Sequence, residues 1–258
     1  MRHIALGGMS FCGSTVVSYL LGSLPGAANI GESHWLVDVT NAGDRMFCAH
    51  CGPKCAVLAE EFRQSLKTDP REWYARIAER VETDLLVSSD KAPILLDRLE
   101  PDRRYDLVVL YKPPELHARS YARFMGRNGT PFDILHYLDQ WSNFYEKYLD
   151  KFEIDGVKTF VDVEQFFRKP SQQLKKLATA LGIPFDAAVM EYWRKVHHAV
   201  GGNFNPYTRL ANDPQSLPVV PLTAHEVEDD LVAQMAFHAR SRDVHRQLVG
   251  QRLTKRNA

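Results

Sequence analysis

The residues best suited to bind an anion lie close to the start of the chain. A glycine-rich loop at residues 7–13 follows a short apolar run of strand length and precedes a stretch with apolar residues at helical spacing. Gly13 lets the backbone turn tightly, and Ser14 and Thr15 place hydroxyl groups at the helix start. Backbone N–H groups, the helix dipole and short hydroxyls together favour a bound phosphate group. Taken alone, the stretch also fits a strand-to-helix turn that binds nothing.

A second group of polar residues ends a predicted buried strand at residues 84–91. Ser88, Ser89 and Lys91 follow its apolar part. Ligands of open parallel sheets bind beyond the carboxyl ends of strands, so Lys91 is a candidate for the edge of a site. A solvated loop lysine is the alternative.

Three cysteines crowd one short turn. Cys48, Cys51 and Cys55 have a spacing that can surround a zinc ion, whose preferred ligands are thiolate and imidazole. A closed zinc site needs four ligands, but His50 lies between two of the cysteines, and Cys12 would have to arrive from the glycine-rich loop. Reduced thiols packing a loop are the alternative. We expect no resident metal and keep the three cysteines as zinc candidates.

The rest of the chain alternates predicted strands with amphipathic helices. Apolar runs predict strands at residues 105–111 and 157–163. Helical spacing predicts helices in the stretches 56–80, 115 onward, 131–152, 170–181 and 222–250. The first stretch holds two helices, broken near Asp69-Pro70, and the last starts at Thr223, with Glu226 in a capping box. The aromatic stripe of the 131–152 helix is typical of a core, although one edge can also line a pocket.

Length and composition predict a single α/β domain over residues 1–258, with a Cys-rich insert near 44–58 and the C-terminal helical segment. Lys plus Arg equals Asp plus Glu at 32 each, so no global charge favours nucleic acid or an anionic membrane as partner. The chain starts with a core strand, so we expect no signal peptide and no membrane insertion. The 4 cysteines do not indicate a disulfide scaffold, which favours a cytoplasmic location.

The order of these segments resembles the sulfotransferase superfamily, particularly its bacterial members. Gly13-Ser14-Thr15 is similar to the loop with which that family holds the 5′-phosphosulfate of 3′-phosphoadenosine 5′-phosphosulfate (PAPS), and Gly31-Glu32 is similar to a later Gly-Glu. Two further segments also match the family in order. They are the Cys-rich insert and the block formed by a strand, an acidic turn at 164–167 and a Pro-led helix. The resemblance covers most of residues 4–205 and implies a P-loop-like, three-layer α/β/α fold with a mostly parallel central sheet. The implied activity is transfer of a sulfuryl group from PAPS to a hydroxyl or amine.

The resemblance also implies which residues form the site. Lys112 and Ser120 have the eight-residue spacing of the Arg and Ser that hold the donor's 3′-phosphate in that family, although lysine lacks the guanidinium fork. Glu32 is then the general base, and Lys91 stabilises the transferring group. The implied donor-binding residues are Cys12, Gly13, Ser14, Thr15, Lys112, Ser120, Gly202, Asn203 and Arg209.

One position departs from the family pattern. Family members usually have Lys or Arg two residues before the loop glycine, where this chain has Phe11. Either Lys91 and an arginine supply that charge, or donor and acceptor sit differently, or the protein binds a nucleotide without turnover. A P-loop-type nucleoside or small-molecule kinase is a further alternative, although Gly13 stands where such an enzyme has its lysine. The expected acceptor is a small molecule or a carbohydrate.

Overall fold

Five parallel strands form one sheet in the computed structural model, which describes residues 1–37, 46–99, 102, 104–150, 153–201 and 238–251. The strands are β1 (Arg2–Gly7), β2 (Ala27–Gly31), β3 (Leu85–Lys91), β4 (Asp106–Tyr111) and β5 (Lys158–Asp162). They lie in the order β2-β3-β1-β4-β5, and every pair is parallel. The sequence predicts a mostly parallel sheet, and the described sheet is parallel throughout.

The helices of the described chain cover both faces of this sheet. They are α1 (Ser14–Gly22), α2 (Glu60–Thr68), α3 (Trp73–Arg80), α4 (Pro93–Leu99), α5 (Pro114–Arg127), α6 (Ile134–Asp150), α7 (Val163–Arg168), α8 (Pro170–Ala180) and α9 (Ala239–Gly250), with 3₁₀ segments at Ser33–Leu36 and Ala187–Arg194. None of the described helices combines the length and the apolar character needed to cross a bilayer.

Strand β4 shows why the domain has three layers. All its residues are buried, and successive side chains point to opposite faces of the sheet. Val108 and Leu110 join the core cluster formed with α1, α7 and α8, whereas Leu107 and Val109 join the one formed with α6 and α9. A third cluster joins β2 and β3 to α2, α3 and the Cys-rich insert. The predicted three-layer α/β/α fold is confirmed.

Three local predictions need correction or completion. Strand β2 and helix α4 were not predicted from the sequence. The β2 sequence Ala-Ala-Asn-Ile-Gly is short and lacks an alternating apolar pattern. The predicted acidic turn at 164–167 belongs to helix α7, because Asp162 caps that helix by accepting hydrogen bonds from the amides of Glu164 and Gln165. Helix α9 lies within the predicted segment 222–250, whose start at Thr223 and Glu226 lies outside the described residues.

The sheet gathers the candidate residues at one edge. Because all five strands run the same way, their carboxyl ends share that edge. Gly7, the last residue of β1, pairs with Lys91 on β3 and with Val109 on β4. The loop after β1 therefore lies between the end of β3, which carries Lys91, and the end of β4, which precedes Lys112.

Two leucines on α6 test this packing by the same substitution. Leu138 is 0% exposed and Leu135 is 48% exposed. Leu138→Ala is expected to lower the free energy of unfolding by about 2–5 kcal/mol, because it leaves a cavity in the core. Leu135→Ala should lower it by less than about 1 kcal/mol. Urea unfolding of both variants measures the difference, and equal effects would contradict the packing of α6.

Candidate functional site

The loop after β1 turns sharply into helix α1. We call residues 8–13 the phosphate loop. Gly13 has a φ of +84°, which residues with a side chain rarely adopt. A Cβ there would also lie only 2.9 Å from the Phe167 ring and 3.0 Å from Val163, so both the backbone conformation and the packing require glycine. Helix α1 begins at Ser14 with no side-chain cap, and Ser14 is buried. The first-turn N–H groups of an α-helix have no partner within the helix and the positive end of the helix dipole lies there, so this end of α1 favours an anion.

Buried side chains of α5 and α6 hold the phosphate loop in place. The Nε2 atom of His117 lies 2.7 Å from the Ser10 carbonyl oxygen and must carry the proton, because a carbonyl only accepts. The Tyr145 hydroxyl donates to the Leu110 carbonyl at 2.9 Å and accepts from the Met9 amide at 3.4 Å. Sequence reasoning missed both residues, since a lone His or Tyr on a helix carries no spacing signal.

Lys112 and Ser120 meet on the β4 side of the phosphate loop. The Lys112 ammonium donates to the Ser120 hydroxyl at 3.4 Å, and the Lys112 side chain is buried. Burial lowers the pKa of Lys112, while Cys12 and Glu164 act in the opposite direction. No carboxylate of the described residues forms an ion pair with this ammonium. A buried cation next to a hydroxyl and to the start of helix α1 is suited to an anionic ligand.

Cys12 lies between the two lysines. Burial raises the pKa of its thiol, whereas the nearby Lys91, Lys112 and Ser14 act to lower it. The structure thus brings Lys91, Lys112, Ser14 and Ser120, which are far apart in sequence, to the surroundings of a single loop.

Glu32 and Lys91 form an ion pair on the other side of the phosphate loop. The Lys91 ammonium contacts Glu32 Oε1, and the Trp35 indole donates to Glu32 Oε2 at 2.8 Å. Both charged side chains are mostly buried, at 17% exposure for Lys91 and 12% for Glu32. Lys91 has a φ of +52°, which an L-residue rarely adopts, and its carbonyl accepts from the Tyr148 hydroxyl and the Gly8 amide. The backbone at Lys91 is therefore tied to the phosphate loop.

A buried carboxylate supports this end of β3. Asp90 Oδ1 accepts hydrogen bonds from the His34 backbone amide at 2.9 Å and from His34 Nδ1 at 2.8 Å. Asp90 Oδ2 accepts from the Ser33 hydroxyl at 2.6 Å and from the Tyr74 hydroxyl at 2.7 Å. Burial acts to raise the pKa of Asp90, but the hydrogen bonds from His34 and Ser33 outweigh it, and the pKa lies below its usual value. Asp90 thus anchors the 3₁₀ segment after Glu32 to the strand end that carries Lys91.

A cleft of about 370 Å³ opens beside the ion pair. Its floor is the start of the phosphate loop, and Glu32 and Lys91 line one wall. The other walls carry aromatic and amide side chains, namely Trp35, Tyr121, Tyr137, Gln140 and Phe144. The aromatic stripe of α6 has both predicted roles, because Trp141, Tyr145 and Tyr148 lie in the core while Tyr137 and Phe144 also border the cleft.

Three solved structures are similar to this chain over nearly its whole length. The sulfotransferase domain of the Synechococcus PCC 7002 olefin synthase matches with a TM-score of 0.56 and 17% identity, over 92% of this chain and 94% of that one. A sulfotransferase from Alicyclobacillus acidocaldarius matches with a TM-score of 0.55 and 14% identity, over 98% of this chain and 97% of that one. The mouse sulfotransferase SULT7A1, complexed with PAP, matches with a TM-score of 0.51 and 12% identity, over 96% of this chain and 87% of that one. No protein-family model matches the chain, and no curated protein matches it.

This chain has the sulfotransferase fold. At these identities the likeness establishes the fold alone, and the roles of the residues must be argued from the site itself.

Phe11, the departure from the sulfotransferase pattern, packs against aromatic side chains of α5. Its ring is 40% exposed and packs against Phe124, with 5.0 Å between ring centroids, and against Tyr121, at 5.8 Å. The cations that act electrostatically on Cys12 in the phosphate loop are Lys91 and Lys112. Arg123, on α5, is exposed and acts electrostatically on Lys112.

The Cys-rich insert has a fourth partner that the sequence did not assign. Neither His50 nor Cys12 joins the cluster of Cys48, Cys51 and Cys55; the His198 imidazole does, with its Nδ1 within 3.7 Å of each sulfur. Cys12 instead lies in the phosphate loop. His198 comes nearly 150 positions later in the chain, so no local spacing links it to the cysteines. The remaining predicted donor-binding residues, Gly202, Asn203 and Arg209, lie outside the described residues.

Three buried histidines predict how stability depends on pH. Burial lowers the pKa of His3 and of His117 to about 3, and that of His197 to about 4. An unfolded chain takes up these protons near pH 6.5, whereas the folded chain does not, so the free energy of unfolding should fall as the pH drops from about 6.5 to about 4.

His117→Gln isolates one of these groups, since glutamine keeps an N–H donor for the Ser10 carbonyl. The variant should lose up to about 1.4 kcal/mol per pH unit of the wild-type slope between these limits. Urea unfolding at several pH values measures it, with His136→Gln on the exposed face of α6 as the control. An unchanged slope in His117→Gln would mean that His117 is not buried in neutral form.

Proposed function

We propose that this protein transfers the sulfuryl group of PAPS to a hydroxyl of a small-molecule acceptor. The observation that carries the proposal is the Glu32–Lys91 ion pair at the mouth of a cleft, next to a phosphate loop that has a second buried lysine on its other side. A carboxylate and an ammonium at one point supply a base for the acceptor proton and a cation for the leaving phosphate. The sulfotransferase fold supports this assignment.

The donor would be held by separate groups at its two ends. The first-turn N–H groups of α1 and the Ser14 hydroxyl suit the 5′-phosphosulfate. Lys112 and Ser120, which already contact each other, suit the 3′-phosphate. The absence of a described ion pair at Lys112 is consistent with this role, because a buried ammonium gains most from an anionic ligand.

Glu32 and Lys91 then have complementary roles. The acceptor oxygen attacks sulfur, the bond between sulfur and the bridging phosphate oxygen breaks, and the acceptor proton passes to the Glu32 carboxylate. The products are a sulfate ester and 3′-phosphoadenosine 5′-phosphate (PAP). Donor binding brings an anion that competes with Glu32 for the Lys91 ammonium, which frees the carboxylate to act as base. Lys91 supplies the positive charge at the transferring group that Phe11 lacks.

The cleft favours a flat, uncharged alcohol or phenol as acceptor. Its volume of about 370 Å³ is at the lower end for a small-molecule site. Trp35, Tyr121, Tyr137 and Phe144 offer ring faces and edges, and the Tyr137 hydroxyl is buried with no hydrogen-bond partner among the described residues. A carbohydrate acceptor, the other class predicted from the sequence, would place several hydroxyl groups against these apolar walls.

Calorimetry with PAP tests the donor site. Lys112→Met and Ser120→Ala are each expected to weaken PAP binding by about tenfold or more, because each removes a hydrogen bond to a charged group. Lys112→Arg should retain binding within about tenfold, since it keeps the charge. Lys175→Met, on the exposed face of α8, is the control for the loss of one positive charge. Equal affinities in Lys112→Met and Lys175→Met would contradict the proposed 3′-phosphate site.

Product formation from radiolabelled PAPS across a panel of alcohols, phenols and sugars tests the reaction. Glu32→Gln is expected to lower kcat by about 10²–10⁴-fold, because the general base is lost, and to leave PAP binding intact. Glu61→Gln, exposed in the first turn of α2, is the matched control. Transfer from ATP with Mg²⁺ instead of from PAPS would establish the kinase alternative, and PAP binding with no turnover on any acceptor would establish a binding protein.

A further inference from the structure

One cluster of chemically active side chains has no part in the proposed reaction. The sulfurs of Cys48, Cys51 and Cys55 and the imidazole of His198 all lie within 4.8 Å of one another. The Nδ1 atom of His198 is 3.6 Å from Cys48 Sγ, 3.7 Å from Cys51 Sγ and 3.4 Å from Cys55 Sγ. The described chain holds no other group of this kind.

The three distances from His198 Nδ1 to the cysteine sulfurs are those of a tetrahedral zinc site. Zinc binds thiolate sulfur at about 2.3 Å and imidazole nitrogen at about 2.0–2.1 Å, so tetrahedral angles place each sulfur about 3.5–3.6 Å from the nitrogen. The three observed separations, 3.4, 3.6 and 3.7 Å, lie on both sides of that value. All four cysteines of the chain are free thiols, so no disulfide accounts for the cluster.

The backbone of the insert is shaped to present two sulfurs to one point. The Gly52 amide donates to the Cys48 carbonyl at 2.8 Å, which closes a tight turn, and Gly52 has a φ of +65°. The Cys51 amide donates to Cys48 Sγ at 3.3 Å. An N–H group directed at a sulfur stabilises its thiolate form, and the thiolate is the form that binds a metal.

We propose that Cys48, Cys51, Cys55 and His198 bind one structural zinc ion. Three thiolates and one imidazole are a complete tetrahedral set, so no coordination position remains for water or substrate. The site is therefore structural and takes no part in the chemistry. The proposal revises the expectation of no resident metal and does not depend on the proposed sulfuryl transfer.

The zinc would join the insert to the backbone that positions Glu32. The Ala49 amide donates to the Ala199 carbonyl at 2.8 Å, next to two of the ligands. One residue further on, the Val200 amide donates to Ile30 at 2.9 Å, and its carbonyl accepts from the Glu32 amide at 2.8 Å.

Gly31 permits this close approach of the two segments. It has a φ of +72°, and a Cβ there would lie 2.2 Å from the Val200 carbonyl oxygen. The cluster thus fixes residues 198–201, which in turn pair with the segment that carries Glu32.

Metal content of the full chain, purified under reducing conditions with any affinity tag removed, tests the site. Elemental analysis should find about one zinc per chain in the wild type and in His50→Ala, the matched control for an exposed histidine inside the insert. His198→Ala and Cys51→Ala should lose most of it, whereas His198→Cys should regain it as a four-cysteine site. Cobalt substitution should give the intense visible absorption of a tetrahedral thiolate complex.

Amide hydrogen exchange of the wild type tests the link to Glu32 without any variant. Removing zinc with a chelator should raise the exchange rates of the Ala49 and Glu32 amides by about tenfold or more, and adding zinc back should restore them. The Val108 amide in the sheet centre serves as the internal reference.

Two results would overturn the zinc site, and a third would overturn its link to Glu32. The first is a wild-type chain with no zinc after incubation with excess Zn²⁺, with or without a disulfide among the cysteines. The second is zinc lost in His50→Ala and kept in His198→Ala. The third, unchanged exchange at Ala49 and Glu32 after chelation, would refute the link to the site. None of these measurements uses PAPS or an acceptor, so failure of the zinc site is distinguishable from failure of the proposed reaction.

Discussion

The ion pair between Glu32 and Lys91 depends on the way two neighbouring parallel strands end. Strand β2 ends at Gly31 and β3 at Lys91, and the two strands pair side by side, so the two charges reach the same edge of the sheet. Strand β1 pairs with the other side of β3 and runs directly into the phosphate loop. A parallel sheet therefore places the Glu32 carboxylate, the Lys91 ammonium and the phosphate loop together, although Glu32 and Lys91 are about sixty positions apart in the chain.

Much of the surrounding structure serves to keep this edge rigid. Asp90 ties the segment after Glu32 to β3, His117 and Tyr145 hold the phosphate loop, and Val200 pairs with the backbone on both sides of Gly31. The side chains of Asp90, His117 and Tyr145 are buried and hydrogen-bonded, so removing any one of them leaves a polar partner unsatisfied. Burial keeps His117 neutral, and hydrogen bonds keep Asp90 charged despite its burial, so protonation of either group by acid would destabilise this edge.

Sequence reasoning predicted the elements with strong patterns and missed those defined by contacts. Strands β1, β3, β4 and β5 and most helices follow from apolar periodicity. The resemblance to the sulfotransferase superfamily, through the spacing of Lys112 and Ser120, predicted a pair that the structure joins. Strand β2 was missed because five residues of mixed polarity carry no period. The supporting residues Asp90 and His117 were missed because their partners are distant in sequence. His198 was not assigned to the cysteines for the same reason, since only the fold brings it to them.

We propose that one bound PAP molecule contacts both sides of the phosphate loop. A crystal structure of the full chain with PAP tests this. We expect the 5′-phosphate on the N–H groups of residues 13–15 and the 3′-phosphate on Lys112 and Ser120, with Glu32 and Lys91 facing the open cleft. PAP bound elsewhere, or a phosphate loop without PAP at saturating concentration, would contradict it.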